Sequence, residues 1–524
     1  MWSIASTLLL AVLSYWVLTV LYKLFLSPLS RIPGPWYTAL TSLWLKPYTL
    51  SGRRHHIVHS LHQRYGPIVR LTPTQISIID PTATCEIYSS TGNYQKSRFY
   101  EIMGAMSRVQ MFVMTDPIEA RWRRKLLSGG FSLGSLKSFD GVVARKVDAA
   151  IGKMVQVARK EGVVDMYLWW YLMATDLIMM FGFGGEYQML EKGEVTSYIT
   201  DMKTLTMLMG LRGEFPRLVK VLSKIPFSPL RLVPELIRRV ESYGSQALQA
   251  FDGEELEFEN GFKKATWFSQ IIAEERRLKG KMDPRFRLER EDIEMEAASM
   301  IFGGELLYNP QIGLGAASLM LVVIGTDTVA TTITYLIYTI LKHPDIRDKL
   351  LDALEPLRKH DIATLVDSQL VKIPYLQMLV DEGLRLHPGI QGALPRSVPA
   401  GGRTLAGYYI PEGTSVESQN WTVHRDPKVF PEPERFWPER WENPTDEMKR
   451  MHMPFGGGHR SCLGMPLALM ELRRATAIFF LKLGKNVELA PSTTDDSMEG
   501  LTFFTTTPKA GKCEIVIKGM EVTA

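Results

Sequence analysis

The sequence predicts a mainly α-helical chain with small β-sheets, built as one large globular body behind an apolar N-terminal segment. Three observations carry this. No proline occurs between Pro310 and Pro344, so a central helix of about thirty residues fits there. The clearest strand pattern is one short pair, Ile68 to Leu71 and Gln75 to Ile79, split by Thr72-Pro73. No linker, internal repeat or low-complexity tract divides the 524 residues.

Ile4 to Tyr22 is a run of nineteen residues without a charge, long enough to span a bilayer as a helix at ~1.5 Å per residue. Tyr15, Trp16 and Tyr22 are candidate interfacial aromatics. Lys23 and Arg31 follow the run and no basic residue precedes it, a bias that keeps the downstream body in the cytosol. A cleaved signal peptide needs a basic leader, a shorter apolar core and a small-residue cleavage site, and none is present. Ile32-Pro33-Gly34-Pro35 then forms a stiff, non-helical connector. The expected division is an anchor with the start of the linker over residues 1–30 and a single domain over residues 31–524. With that topology the Asn420-Trp421-Thr422 sequon stays unglycosylated.

The 61 basic and 56 acidic residues give a formal charge of +5, which demands no nucleic-acid partner. Three cysteines, Cys85, Cys462 and Cys513, exclude a disulfide framework and favour a reducing compartment.

Phe99 to Met114 is apolar and Met-rich without a clear period, which fits either an adaptable wall over a ligand or a loop packed on its own core. Arg121-Trp122-Arg123-Arg124-Lys125 opens a helix that runs into Leu126 and Leu127 and stops near Gly129-Gly130. Ala174 to Phe181 and Met202 to Leu211 read as core helices, and Ile225-Pro226-Phe227-Ser228-Pro229 breaks the pattern. Asp252 to Glu296 is highly charged, with Glu274 to Arg277 on an exposed helix, and is assigned no function.

Asn309-Pro310 is a good N-cap and first-turn pair for the central helix. Its apolar part, Ile312 to Ile324, is too short for a second membrane span before Asp327 interrupts it, so a buried helix is expected. Gly325 and Thr326 to Thr328 provide a place where that helix can bulge and leave room for a small ligand. Glu382 and Arg385, three apart among apolar residues, share one helix face and are expected to form a buried pair.

The stretch that organises the chain is Phe455-Gly456-Gly457-Gly458-His459-Arg460-Ser461-Cys462-Leu463-Gly464. Cys462 stands just ahead of a helix that begins near Met465, where free N–H groups and the helix dipole stabilise a thiolate able to bind iron. The glycines permit close approach to a flat ligand, and Arg460 offers a cation to its carboxylates. A buried free cysteine in a glycine-rich turn is the plainer reading of an isolated cysteine. Here five positions of F-x-x-G-x-R-x-C-x-G are matched, a coincidence on the order of 10⁻⁴ for a chain of this length.

This loop resembles the haem-binding signature of the cytochrome P450 family, whose cysteine ligates haem iron and pushes electron density toward O–O cleavage. The resemblance implies the cytochrome P450 fold with a long central helix over the haem. It implies haem b (iron protoporphyrin IX) held by Cys462, with Phe455, Gly456 and Arg460 from the same loop. Arg124, aligned through Lys125-Leu126-Leu127 and Phe131-Ser132, and Arg396, after Pro395, match propionate contacts. Ala120 stands where the family often has histidine or tryptophan. Ile324-Gly325-Thr326-Asp327-Thr328 resembles the oxygen-binding groove: Thr328 matches the threonine that helps deliver protons, Asp327 the acid beside it, and Ile324 departs from the usual small residue. Glu382 and Arg385 match E-x-x-R, with Arg440 as the third member of that network. Ile390 to Leu394 and Leu501 to Phe504 resemble pocket-lining segments.

The implied activity is a monooxygenase acting on a lipophilic small molecule, in the manner of fungal enzymes of secondary metabolism. Its electrons would come from NADPH through NADPH-cytochrome P450 reductase. The implied location is the endoplasmic reticulum membrane, single-pass, with the body cytosolic. Arg121, Arg123, Lys125, Arg473 and Arg474 are expected to form the basic surface for that donor. A haem-thiolate isomerase or dehydratase, disfavoured by Asp327 and Thr328, and a non-catalytic haem sensor are the alternatives.

Overall fold

The computed structural model describes residues 4–103, 110–183, 188–193, 266–278 and 325–519, with short pieces between 215 and 264 and between 288 and 296. The helix read over Met202 to Leu211, the Asn309-Pro310 cap, the run Ile312 to Ile324 and most of the break at Ile225 to Pro229 lie outside these residues.

The core is helical. The helix Leu133–Glu161 opens where the Ser132 side chain accepts from the Ser135 N–H and closes at Gly162, φ +78°. The helix Met166–Phe183 is apolar around most of its circumference, as an enclosed helix must be, and its one charge, Asp176, is buried against Lys146 at 3.2 Å. It lies between Leu133–Glu161 and the central helix Thr326–Lys342, and the helix Met465–Leu483 touches both of those. Trp170 and Phe479 meet in this layer with ring centroids 6.1 Å apart.

Every central-helix residue from Val329 to Leu341 is buried. Two of its threonines bond back to the helix, Thr332 to the Thr328 carbonyl at 2.6 Å and Thr339 to that of Tyr335 at 2.7 Å, and Thr331 donates to the Thr506 carbonyl at 2.9 Å. Pro344 then starts a new helix, Pro344–Leu354.

The expected strand pair forms as Ile68–Thr72 and Gln75–Ile78, antiparallel, with Ile68 opposite Ile78. It belongs to a five-stranded sheet that continues through Ser415–Glu417, Arg396–Ser397 and Gln95–Lys96. The last two strands pair in a register that sets Lys96 directly opposite Arg396.

The N-terminal helix Ile4–Leu21 exposes its apolar side chains. Among the described residues, Ser6–Leu26 is the one segment long and apolar enough to cross a membrane. The connector docks on the sheet, the Arg70 N–H donating to the Pro33 carbonyl at 2.8 Å. Asn420 is buried and its side-chain amide donates to the Ile390 carbonyl at 2.9 Å. No glycan fits there in the folded protein, which agrees with a sequon that stays unglycosylated but does not by itself distinguish the two topologies.

The basic helix starts earlier than Arg121. It spans Pro117–Leu127, because the Asp116 side chain accepts from the Ile118 and Glu119 N–H groups and Pro117 takes the first turn.

Glu382 and Arg385, on the helix Pro374–Leu386, are fully buried. Arg385 grips both carboxylate oxygens at 2.8 Å, Arg440 adds a bond at 3.0 Å, and Trp441 Nε1 adds one at 2.9 Å. The spare Arg385 donors reach the carbonyls of His424 and Pro433 at 2.8 and 2.7 Å. Burial alone would raise the Glu382 pKa, but the Arg385 bonds and the two guanidinium charges hold it below the usual range. Removing this carboxylate strands two buried cations. Glu382→Ala is expected to cost about 3 to 5 kcal/mol, measured as a lower urea midpoint of the full chain. Lys349→Ala, which breaks an exposed pair with Glu439, should shift stability by less than about 1 kcal/mol.

Candidate active site

The cysteine loop owes its shape to contacts that exclude side chains. Gly456 and Gly458 have φ of +69° and +60°. A Cβ at Gly457 or Gly458 would come within 2.8 or 2.7 Å of the Tyr88 carbonyl. The Cys462 N–H donates to the Phe455 carbonyl at 2.9 Å, closing the loop just before the helix Met465–Leu483. Burial pushes the Cys462 thiol up, while the N–H groups of Gly464 and Met465 and the charge of Arg124 pull it down. A metal in the proton's place would remove that opposition.

Cys462 opens into a cavity of about 280 Å³. Phe455, Gly456, Arg460, Arg124, Arg396 and Thr328 line it as well. Arg124 donates to the Ser461 carbonyl at 2.7 Å, which fixes the helix Pro117–Leu127 against the cysteine loop. Arg460 donates to the Asp116 carbonyl at 3.3 Å and Arg396 to that of Pro395 at 3.2 Å. Lys96, on the wall opposite Arg396 in the sheet register, reaches the Phe112 carbonyl and lies 4.3 Å from the Tyr100 ring centre. Burial, and then the charges of Arg396, Arg460 and Arg124, push the Lys96 ammonium far down. Arg460 is lowered to about 10, by burial first and then by Arg396 and Arg124. None of the four is in a salt bridge with a carboxylate among the described residues. A flat ligand bearing two carboxylates, with a metal for the half-buried sulfur, is what this donor set fits. Haem b is such a ligand.

Thr328 faces the cavity from the central helix. Gly389 presses on it so closely that a Cβ there would stand 2.6 Å from the Thr328 Cβ. Asp327 is buried but points elsewhere, accepting from the Thr505 hydroxyl at 3.4 Å. Thr328 and Cys462 therefore share the cavity, and Asp327 sits behind it. Glu382, Arg385 and Arg440 cluster together away from it.

The profile of the cytochrome P450 family matches residues 31–305 and 313–514. The chain belongs to the cytochrome P450 family. Among curated proteins, the cytochrome P450 monooxygenase tazI of Aspergillus terreus is 36% identical over 501 residues, covering 95% of this chain and 96% of that protein. The cytochrome P450 monooxygenase orf2 of Aspergillus niger is 33% identical, covering 89% and 88%. The cytochrome P450 monooxygenase cypX of Dothistroma septosporum is 32% identical, covering 96% and 94%. As a cytochrome P450 this chain is a haem-thiolate monooxygenase, and membership implies a haem, a small-molecule substrate and electrons supplied by a reductase.

Several site features differ from expectation. Arg123, Arg473 and Arg474 are not surface residues. Arg123 is buried against Glu296, Arg473 pairs with Asp367 at 2.7 Å, and the fully buried Arg474 pairs with Asp140. Of the five proposed donor contacts, Arg121 and Lys125 are exposed. Leu501 to Phe504 is not in the cavity wall. Phe504 instead backs Phe112, ring centroids 5.5 Å apart. Trp122 packs on the core rather than lining the cavity, so it does not replace the missing contact at Ala120. Trp267 and Glu296 line the cavity although their charged segment was assigned no role. Lys96 and Gly389 had no local signal, since their importance comes from Arg396 and Thr328, 300 and 61 positions away. Gly389→Ala is expected to force Thr328 aside and cost about 1 to 3 kcal/mol by urea unfolding. Gly392→Ala, with 3.4 Å to its nearest neighbour, should be tolerated.

Proposed function

We propose that the chain oxidises a lipophilic small molecule of fungal secondary metabolism, with electrons drawn from NADPH through NADPH-cytochrome P450 reductase. The observation that carries this reading is a half-buried thiol with Lys96, Arg124, Arg396 and Arg460 around one cavity, none of these four basic groups in a salt bridge with a carboxylate among the described residues. Apolar walls from Leu127, Phe131, Ala174, Ile178 and Leu384 favour a lipophilic substrate. The N-terminal helix would hold the enzyme on the endoplasmic reticulum membrane, the body kept cytosolic by Lys23 and Arg31.

In this proposal Cys462 ligates haem iron, and Arg124, Arg396 and Arg460 hold the haem carboxylates, with Lys96 as a fourth cation. Phe455 and Gly456 keep the loop backbone against the ligand. Bound haem supplies the activation of O₂ and the transfer of one oxygen atom to substrate. The protein's part is then positioning and proton supply. The Thr328 hydroxyl can hold a water in the cavity and pass a proton through it, and Asp327 can receive protons from the Thr505 side and hand them toward Thr328. Glu382, Arg385 and Arg440 act structurally. The electron donor would dock over the exposed Arg121 and Lys125, whose helix abuts the cysteine loop through Arg124.

Cys462→Ala is expected to abolish the thiolate-type absorbance band of the reduced carbon monoxide complex, and a variant that kept it would remove the ligand assignment. Thr328→Ala should bind haem and substrate as before but release more peroxide per NADPH consumed, while Thr328→Ser keeps most of the coupling. Undiminished coupling in the alanine variant would deny the hydroxyl this role.

A further inference from the structure

One part of the cavity wall carries negative charge. Glu296 lines it at 5% exposure. Its Oε1 accepts from the Met111 N–H at 2.8 Å and from Arg123 Nη1 at 3.3 Å. Its Oε2 has no hydrogen bond among the described residues. Arg123 is shared, reaching Glu119 at 3.6 Å and Asp292 at 3.9 Å as well. One guanidinium thus stands among three carboxylates. Burial pushes Glu296 up to about 7, with Asp292 and Glu119 adding to the rise and Arg123 and the Met111 N–H opposing it.

A purely structural tie between Arg123 and Glu296 would use both carboxylate oxygens in the two-pronged geometry that arginine favours. Here one oxygen does all the internal bonding and the other is left to the cavity. The haem carboxylates do not account for it, being anionic themselves and matched by Lys96, Arg124, Arg396 and Arg460. Among the described residues, what the cluster lacks is a second positive charge with a hydrogen to donate.

We infer that Glu296 is a substrate-recognition residue and that the substrate carries a protonated basic nitrogen on an otherwise apolar frame. This rests on reading the cavity as the substrate pocket of a monooxygenase. The ammonium N–H would donate to Oε2 and offset one of the excess negative charges, in a site where water is scarce and charge-assisted bonds are strong.

The test uses the haem-loaded full chain and three probes of one length: N,N-dimethyldodecylamine, dodecanol and dodecanoate. Binding is read from the haem absorbance shift and from equilibrium dialysis. The amine should bind the wild type about tenfold or more tighter than dodecanol, the scale of one charge-assisted bond, with dodecanoate weakest. Glu296→Gln keeps an acceptor for Met111 and Arg123, and it should abolish the amine preference while leaving dodecanol unchanged. The groups facing Glu296 are Arg123, Glu119 and Asp292. Since the carboxylate forms as pH rises through about 7, amine binding should tighten from about pH 6 to pH 8 in the wild type and not in E296Q. A wild-type amine-to-alcohol ratio near one, or a preference that survives in E296Q, overturns the inference. In either case, dodecanol that still binds and is oxidised leaves the pocket reading standing. Failure of dodecanol to bind or be oxidised by the wild type would remove that reading, and this inference with it. The wild-type ratio needs no variant, so misfolding of E296Q would not block the test.

Discussion

Basic side chains gathered around the cavity, with no salt-bridged carboxylate among the described residues, are the constraint on which the site depends. Two unit charges about 4 Å apart interact by roughly 4 kcal/mol at an effective dielectric near 20, so a cluster of like charges resists being assembled. Yet the sheet register puts Lys96 opposite Arg396, an arrangement that is unfavourable between strands by itself. Arg124 arrives from the helix Pro117–Leu127 and Arg460 from the cysteine loop. Three unrelated parts of the fold are thus made to converge on a place that only an anionic ligand can neutralise. Such a ligand binds the native state alone and adds stability by mass action, so the folded chain and its cofactor are energetically one unit.

The charges around Glu382 and along the helix Met465–Leu483 follow the opposite rule. Glu382 is saturated by Arg385, Arg440, Trp437 and Trp441, and the leftover guanidinium donors end on carbonyls. Arg473 and Arg474 fasten the helix Met465–Leu483 to Asp367 and Asp140. That helix presents its first N–H groups to Cys462, so its position sets the electrostatics of the sulfur. These carboxylate-bound arginines hold the frame, whereas Lys96, Arg124, Arg396 and Arg460 at the site have no salt-bridged carboxylate among the described residues.

This distinction decides what could be read from the sequence. The cysteine loop, the Glu382 and Arg385 spacing and the Thr328 motif were legible because each is a local pattern whose meaning survives without knowing the fold. The strand pair Ile68–Thr72 and Gln75–Ile78 was legible for the same reason. Arg123, Arg473 and Arg474 misled because a charge shows its burial only through its partner, and Asp140 lies 334 residues from Arg474. Lys96, Gly389 and Glu296 were invisible for a related reason. Lys96 gains its role from Arg396, Gly389 from Thr328, and Glu296 from Arg123 and Met111. The motif does not say which way Asp327 faces: adjacent helical residues point about 100° apart, so with Thr328 on the cavity face Asp327 turns to Thr505.

The cavity therefore has two electrostatic characters, and they need not compete. The cations surround the cysteine loop and the sheet edge, whereas Glu296 is tied to Met111 and to the buried Arg123. Arg123 and Arg124 are neighbours in sequence on one helix, and successive helical residues diverge by about 100°, so one serves the acidic cluster and the other the cysteine loop. A shift of the helix Pro117–Leu127 would disturb both at once. The Asp116 cap and Pro117 hold its start, and the Trp267 indole donates to the Leu127 carbonyl at its end, at 2.6 Å. In the proposed roles, a cofactor held by Arg124 and a ligand at Glu296 would be coupled through this one helix, whose end is tied by Trp267, itself part of the cavity wall.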